Sequence, residues 1–319
     1  MAIVVTGAAG FIGSCLVSFL NDQGIVDLIL VDDFSKSEKH KNLEKAKFTA
    51  KIDREVFLFD MHRHSIEFIF HLGARTDTTE FDLSIFQKLN LNYSKSIWKF
   101  CTDKDIPLLY ASSAATYGGG EHGFNDEKSI QDLEPLNPYG RSKQEFDTWA
   151  LAQETTPPFW AGLKFFNVFG PNENHKDRMA SVVYHAFHQI KDKGSLKLFQ
   201  SHRTDYADGE QIRDFIYVKD LLNLMWFWYE EQSSSGIYNA GTGTARTFND
   251  LGNAIFKALN LAPKISYIPT PEDIRDKYQY YTEATMSKTL AVGFDKPFWD
   301  LENAVSDYVQ NYLSKELHY

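Results

Sequence analysis

The stretch "AIVVTGAAGFIGSCL", residues 2–16, decides how the rest of the chain is read. It opens on a short apolar run rich in β-branched residues, the pattern of a strand covered on both faces. Gly7, Gly10 and Gly13 follow, and an apolar stretch with helical spacing begins among them. Glycine permits a turn too tight for a side chain, and the first N–H groups of a helix point toward whatever lies before it. Strand, glycine turn and helix in that order form a seat for a pyrophosphate. The spacing GxxGxxG departs from the commoner GxGxxG, so context must carry the reading. That context is present, because the next apolar run, "LILVDD" at 28–33, ends on Asp32 and Asp33. An acidic residue at that strand end accepts hydrogen bonds from a nucleotide ribose.

Working outward, "VFLFD" (56–60), "FIFHLGA" (68–74), "PLLYASS" (107–113) and "AGLKFFNVFG" (161–170) read as further buried parallel strands. Helices are predicted between them, over residues 10–20 and 84–102. After Pro171 the order changes to a polar loop, "NENHKDRMAS", and an amphipathic stretch to Lys193. "DFIYVKDLLNLMWFWYEEQ" (214–232) and "GIYNAGTG" (236–243) read as a return to the sheet, followed by helices over 248–259 and after 298. The predicted fold is a doubly wound parallel α/β sheet of Rossmann type with a smaller α/β lobe. Residues 1–168 and 214–246 are expected to hold the dinucleotide; 169–213 and 247–319 are expected to form a discontinuous substrate lobe.

With 319 residues, 43% of them hydrophobic, the chain can bury a large core. A net charge of -10 argues against a nucleic-acid or anionic-membrane surface, and the basic run "KHKNLEKAK" (39–47) reads as a solvated face. Cys15 and Cys101 supply neither a disulfide framework nor metal-ligand spacing, so no metal is expected. No leader or membrane span is apparent, and a cytoplasmic protein is expected.

Two further stretches carry chemistry. "ASSAATYG" sets the hydroxyls of Ser112, Ser113 and Thr116 at a strand end, where open α/β sheets bind ligands. "LNPYGRSK" (136–143) puts Tyr139 four residues before Lys143, on one face of a helix. Lowering a phenol pKa from ~10 by three units takes about 4 kcal/mol. One cation at roughly 4 Å in an effective dielectric of about 20 supplies that much. The spacing therefore allows a proton-transfer pair, and taken alone it equally fits an ordinary helix with an aromatic and a solvated lysine.

The glycine turn, the "HLGA" strand end, the paired serines, Tyr-x-x-x-Lys and "RDFIYVKD" together resemble the extended short-chain dehydrogenase/reductase superfamily over nearly the whole chain. The resemblance implies that Lys143 lowers the Tyr139 pKa and binds the nicotinamide ribose, while Ser113 bonds the reacting oxygen. Related 4,6-dehydratases carry an Asp-Glu pair just after that serine; Ala114 and Ala115 stand here, which disfavours dehydration. "FNVFGPNENHKDRMASV", "LYASSAATYGG", "HLGARTDTTEF" and "KYQYYTEAT" closely resemble the ADP-glycero-manno-heptose 6-epimerase family. That family implies a second catalytic base, Lys176, and inversion at carbon 6 of an ADP-heptose through a 6-keto intermediate. It also implies a homo-oligomer, a pentamer, with a role in lipopolysaccharide inner-core supply.

By the same resemblance the cofactor would lie against Gly7, Gly10, Phe11, Ile12, Gly13, Asp32, Asp33 and Lys39. Leu72, Gly73, Ala74, Asn90, Tyr139, Lys143 and Val168 would complete its site. Ser113, Asn167, Lys176, Arg178, His185, Phe199, Gln200, Ser201, His202, Arg213 and Tyr278 would meet the substrate. Arg213 would contact the pyrophosphate, against the plainer reading of an ion pair with Asp214, and residues 202–212 look expanded relative to the family pattern. The two aspartates suit NAD, whereas the resemblance and Lys39 point to NADP; NADP is the expectation and NAD the alternative. Two other functions stay open, a UDP-sugar 4-epimerase that would not need Lys176 and a non-catalytic dinucleotide sensor that would need only the glycine turn and the acidic strand end.

Overall fold

The computed structural model describes residues 1–78, 80–275 and 278–319; Thr79 of "HLGARTDTTEF" and Lys277 of "KYQYYTEAT" lie outside them. Along the first half run β1 (Ala2–Thr6), α1 (Phe11–Asp22), β2 (Leu28–Asp32), β3 (Ala50–Asp53), α2 (Arg54–Asp60) and β4 (Ile66–His71). Then come α3 (Leu83–Phe86), α4 (Tyr93–Lys104), β5 (Leu108–Ser113), α5 (Pro138–Leu151), β6 (Trp160–Phe165) and β7 (Asn167–Phe169). The second half holds α6 (Val182–Lys193), β8 (Leu196–Phe199), β9 (Ile212–Arg213), β10 (Phe215–Tyr217), α7 (Val218–Glu231) and β11 (Gly236–Ala240). It closes with β12 (Arg246–Thr247), α8 (Phe248–Ala258), β13 (Ile265–Ile268), α9 (Glu272–Arg275), α10 (Ser287–Ala291) and α11 (Leu301–Tyr308).

The central sheet has the order β11-β6-β5-β4-β1-β2-β3, every pair parallel. The chain winds outward from β1 in one direction, then returns to lay β4 on the other side. The carboxyl ends of β1 and β4 therefore flank the crevice where ligands of such sheets bind. Both faces are covered: Val5, Leu30, Phe70 and Leu163 pack with α1 and α7, while Val4, Ile29, Ile69 and Leu108 pack with α4 and α5. Both-sided burial explains why the strands read as continuous apolar runs.

The structure corrects three expectations. "VFLFD" is not a strand but most of α2, capped by Asp53, whose carboxylate accepts the Glu55 N–H at 2.8 Å. Its exposed Val56 and Phe59 and buried Phe57 cannot fit a strand covered on both faces. "AGLKFFNVFG" breaks at Phe166: β6 stays in the sheet, whereas β7 leaves it to pair with β10. The helix predicted over 84–102 is interrupted by a π-helical turn, Gln87–Asn92. Such turns insert an extra residue and recur at functional sites; this one carries Asn90.

Candidate active site

At the crevice, Gly7 adopts φ +70, and a Cβ on it would lie 2.7 Å from the Gly73 backbone beyond β4. A Cβ on Gly13 would come within 2.1 Å of the Gly7 carbonyl oxygen. Glycine is thus required on both sides of the turn. The first turn of α1 has no side-chain cap and no acidic residue, so its positive end is left for an anion. Leu72 and Ala74 flank Gly73 and are half-buried. Asn90 fixes the next segment, accepting the Arg75 N–H at 2.8 Å while donating to the Arg75 carbonyl and to Ser142.

At the carboxyl end of β2, Asp32 accepts the Ala9 N–H at 2.9 Å and the Asp33 N–H at 2.7 Å. Lys39 reaches the same carboxylate at 3.1 Å. Arg54 lies 3.7 Å from Asp33, and its Nε is buried without a partner. Ser35, by hydrogen bonding, holds the Asp33 carboxyl below its ordinary pKa. Sequence reasoning missed Arg54, which stands two residues before "VFLFD", the run misread as a strand.

Helix α5 starts where Asn137 accepts the Gly140 N–H at 2.8 Å and Pro138 supplies the first helical residue. That start aims Tyr139 and Lys143 at the end of β5. Lys143 donates to the Ala111 carbonyl at 2.7 Å, and burial lowers its pKa to about 8, with Asp147 opposing. It stays mostly charged at neutral pH. Tyr139 is hydrogen-bonded to Ser113; burial pushes the phenol up, Ser113 pulls it down and Asp147 pushes it up again. The net direction is upward, so the expected lowering by Lys143 is not expressed in the protein alone. Ser113 also caps the turn Ala114–Tyr117 by accepting the Ala115 N–H at 3.1 Å.

Ser112 and Thr116, read beforehand as hydroxyls in a ligand region, turn inward. Ser112 donates to Asp147 at 2.6 Å, and Tyr110 donates to the same carboxylate at 3.0 Å. Lys164 completes the group at 2.9 Å from Asp147 and 2.6 Å from Thr116. Sequence reasoning missed this pair, although a lysine inside the apolar run "AGLKFF" was a visible signal that a buried partner must exist. Lys164→Met is expected to destabilise the fold by about 3–5 kcal/mol, since it strands the Asp147 charge. Urea unfolding of the single variant, and of the double variant Lys164→Met with Asp147→Leu, checks this. An unchanged midpoint in the single variant would mean that the charge is not carried there.

Lys176 lies in the turn Asn174–Met179, which kinks at Asp177 (φ 45). Its ammonium stands 5.5 Å over the Phe11 ring, and burial lowers its pKa. No hydrogen bond joins it to Tyr139 among the described residues. Glu173 anchors this loop from inside: its carboxylate accepts from Ser181 at 2.6 Å and from the Tyr308 hydroxyl at 3.1 Å.

The other expected substrate residues divide into two groups. Arg213 is buried, donates to the carbonyls of Ile212 and Gln279, and lies 5.4 Å over Tyr278 and 5.6 Å over Phe248. It is not paired with Asp214, whose carboxylate accepts from Thr242, Gly243 and Ala284. Tyr278 also meets Phe199 and His202, whose backbone N–H donates to Tyr280. Ser201 is held by Asp208, and Gln200 extends β8 beside β13. These residues form one aromatic, cationic wall. Asn167 and Val168 lie in β7 beside β10. Arg178 and His185 are exposed, His185 against the Tyr184 ring, and nothing draws them to that wall.

The fold that carries this crevice has counterparts among known proteins. The chain belongs to the NAD dependent epimerase/dehydratase family, whose model matches residues 3–241. Among its relatives, the ADP-L-glycero-D-manno-heptose-6-epimerase of Fusobacterium nucleatum is 46% identical over 99% of each chain. The protein of that name from Nitratidesulfovibrio vulgaris is 45% identical over 98% of each. The solved ADP-L-glycero-D-manno-heptose-6-epimerase of Helicobacter pylori superposes with a TM-score of 0.81 at 27% identity, covering 97% of this chain and 95% of that one. Among the described residues, no helix is long and apolar enough to cross a membrane.

Proposed function

We propose that this chain is an ADP-heptose 6-epimerase, converting ADP-D-glycero-D-manno-heptose to ADP-L-glycero-D-manno-heptose. The observation that carries the reading is full-length similarity to relatives of that name, at 41–46% identity, in a chain that has Ser113, Tyr139, Lys143 and the loop lysine Lys176. Residues 1–168 with 214–246 are read as the cofactor-holding unit, and 169–213 with 247–319 as the substrate lobe. A bound nicotinamide would accept a hydride from carbon 6 and give it back, so the reaction has no net redox change. The protein's part is to move protons and to aim the sugar. Tyr139 would take the 6-hydroxyl proton of one epimer while Ser113 holds the oxygen, and Lys176 would return a proton to the oxygen of the other. Two bases are needed because the epimers present their hydroxyls in different directions. Burial lowers the Lys176 pKa from its ordinary value, the direction that favours a base. The wall of Arg213, Tyr278 and Phe199 would hold the nucleotide end.

The test is incubation with ADP-D-glycero-D-manno-heptose and observation of the 6-epimer by NMR. Turnover of a UDP-hexose at carbon 4 instead would replace this reading with the 4-epimerase one, and no turnover of either would favour a sensor.

The cofactor is read as NADP. Lys39 and Arg54 sit against Asp32 and Asp33, so cations are already present to offset the repulsion a 2'-phosphate would meet there. Lys39→Ala is expected to weaken NADP binding more than NAD binding. Mass analysis of nucleotide released on denaturation checks it: NAD alone, with Lys39→Ala silent, would move the assignment to NAD. The same reading places the enzyme in the cytoplasm as a homo-oligomer, a pentamer by the resemblance.

A further inference from the structure

The loop that carries Lys176 is tied to the glycine turn through one side chain that the proposed reaction gives no role. Asn42 lies in the short 3₁₀ helix Ser37–Leu43 and is only 4% exposed. Its amide nitrogen is 3.0 Å from the Ala9 carbonyl oxygen in the glycine turn and 3.2 Å from the Asn172 carbonyl oxygen in the lysine loop. The same nitrogen is 3.2 Å from Nδ1 of His175, the residue before Lys176. Its Oδ1 is 3.0 Å from Nδ1 of His318. One buried amide therefore bridges three segments far apart in sequence.

The anchored end of the loop is rigid. Asn172 is fully buried in the left-handed region (φ 72) and donates to Ser14 on α1 at 2.9 Å, while accepting the Tyr319 N–H at 2.9 Å. The Lys176 N–H then closes onto the Glu173 carbonyl at 2.9 Å. From Ala9 to Lys176 the path thus runs through bonded, buried groups, and the ammonium ends over Phe11, the first residue of α1. Removing the Asn42 amide takes the donor from the Ala9 carbonyl and leaves the Asn172 carbonyl to the His175 ring alone, so the direct tie between turn and loop is lost.

We propose that Asn42 is a positioning residue for Lys176: by donating its two N–H groups to the Ala9 carbonyl in the glycine turn and the Asn172 carbonyl in the lysine loop, it sets where the Lys176 ammonium stands relative to the cofactor crevice. The proposal rests on the reading of Lys176 as a base. It assigns Asn42 no contact with substrate.

The test compares the full-length protein with Asn42→Ala, and with Asn42→Ser, which keeps one short donor in the same space should the alanine variant not fold. Turnover is expected to fall about 10- to 100-fold, as for a displaced catalytic group, with KM and bound nucleotide little changed. In a second measurement, lysines carrying ¹³C-methyl groups are titrated by NMR, the Lys176 signal being assigned by its loss in Lys176→Met. That signal should titrate below an ordinary lysine in the parent and move up in the Asn42 variants as the amine becomes solvated. Normal turnover in a folded variant would overturn the proposal. So would lost turnover with an unmoved Lys176 signal, or a loss of nucleotide in proportion to activity. If Lys176→Met itself turns over at the full rate, the base assignment fails, and the lysine signal still decides whether Asn42 holds the loop.

Discussion

Tyr139→Phe is expected to lose epimerisation by a factor on the order of 10²–10⁴, the usual contribution of a positioned acid or base, and to keep its bound nucleotide. The phenol is hydrogen-bonded to Ser113, whereas the dinucleotide is read as resting on the glycine turn and the start of α1, which the substitution leaves intact. Phenylalanine fills the same space on α5, so packing should hold. The measurement is kcat together with the nucleotide released on denaturation. A turnover number close to the parent's would remove Tyr139 from the mechanism. Loss of nucleotide along with activity would show instead that the ring, through its contacts, shapes the cofactor site.

Lys176→Met should abolish epimerisation and leave the fold standing. The loop owes its shape to Glu173, Asn172 and Asn42, and the lysine itself makes no hydrogen bond or ion pair through its ammonium among the described residues. The methionine chain can still rest on Phe11. The decisive experiment uses a heptose analogue with a carbonyl at carbon 6, whose dismutation needs an oxidation and a reduction in one site. With Tyr139 intact, one half-reaction should persist slowly while the other fails. Normal dismutation and epimerisation would end the two-base mechanism and return the chain to a single-tyrosine scheme, in which the resemblance to 6-epimerases loses its chemical support.

Much of this arrangement is local and was legible. A glycine turn works through backbone, so Gly7, Gly10 and Gly13 declare themselves by spacing, and Tyr139 and Lys143 share a helix face by arithmetic. The central strands announced themselves because both faces are covered. "VFLFD" was misread for the same reason, since an apolar run too short to show its period looks like a strand. The break at Phe166 depends on β10, nearly fifty residues on, drawing β7 out of the sheet.

Sequence by itself determined the doubly wound sheet, the glycine turn after β1 and the shared helix face of Tyr139 and Lys143, because each rests on residues whose geometry is set within one element or one turn. Only the tertiary structure decided that Ser112 turns inward to Asp147, that Lys164 has a buried partner, that Arg54 stands beside Asp33 and that Asn42 joins the Lys176 loop to the glycine turn. Those assignments depend on which carboxylate or carbonyl the fold brings within about 3 Å of a donor, and burial makes the match obligatory without stating in advance, from sequence separations as long as that between Asn42 and Asn172, who the partner will be.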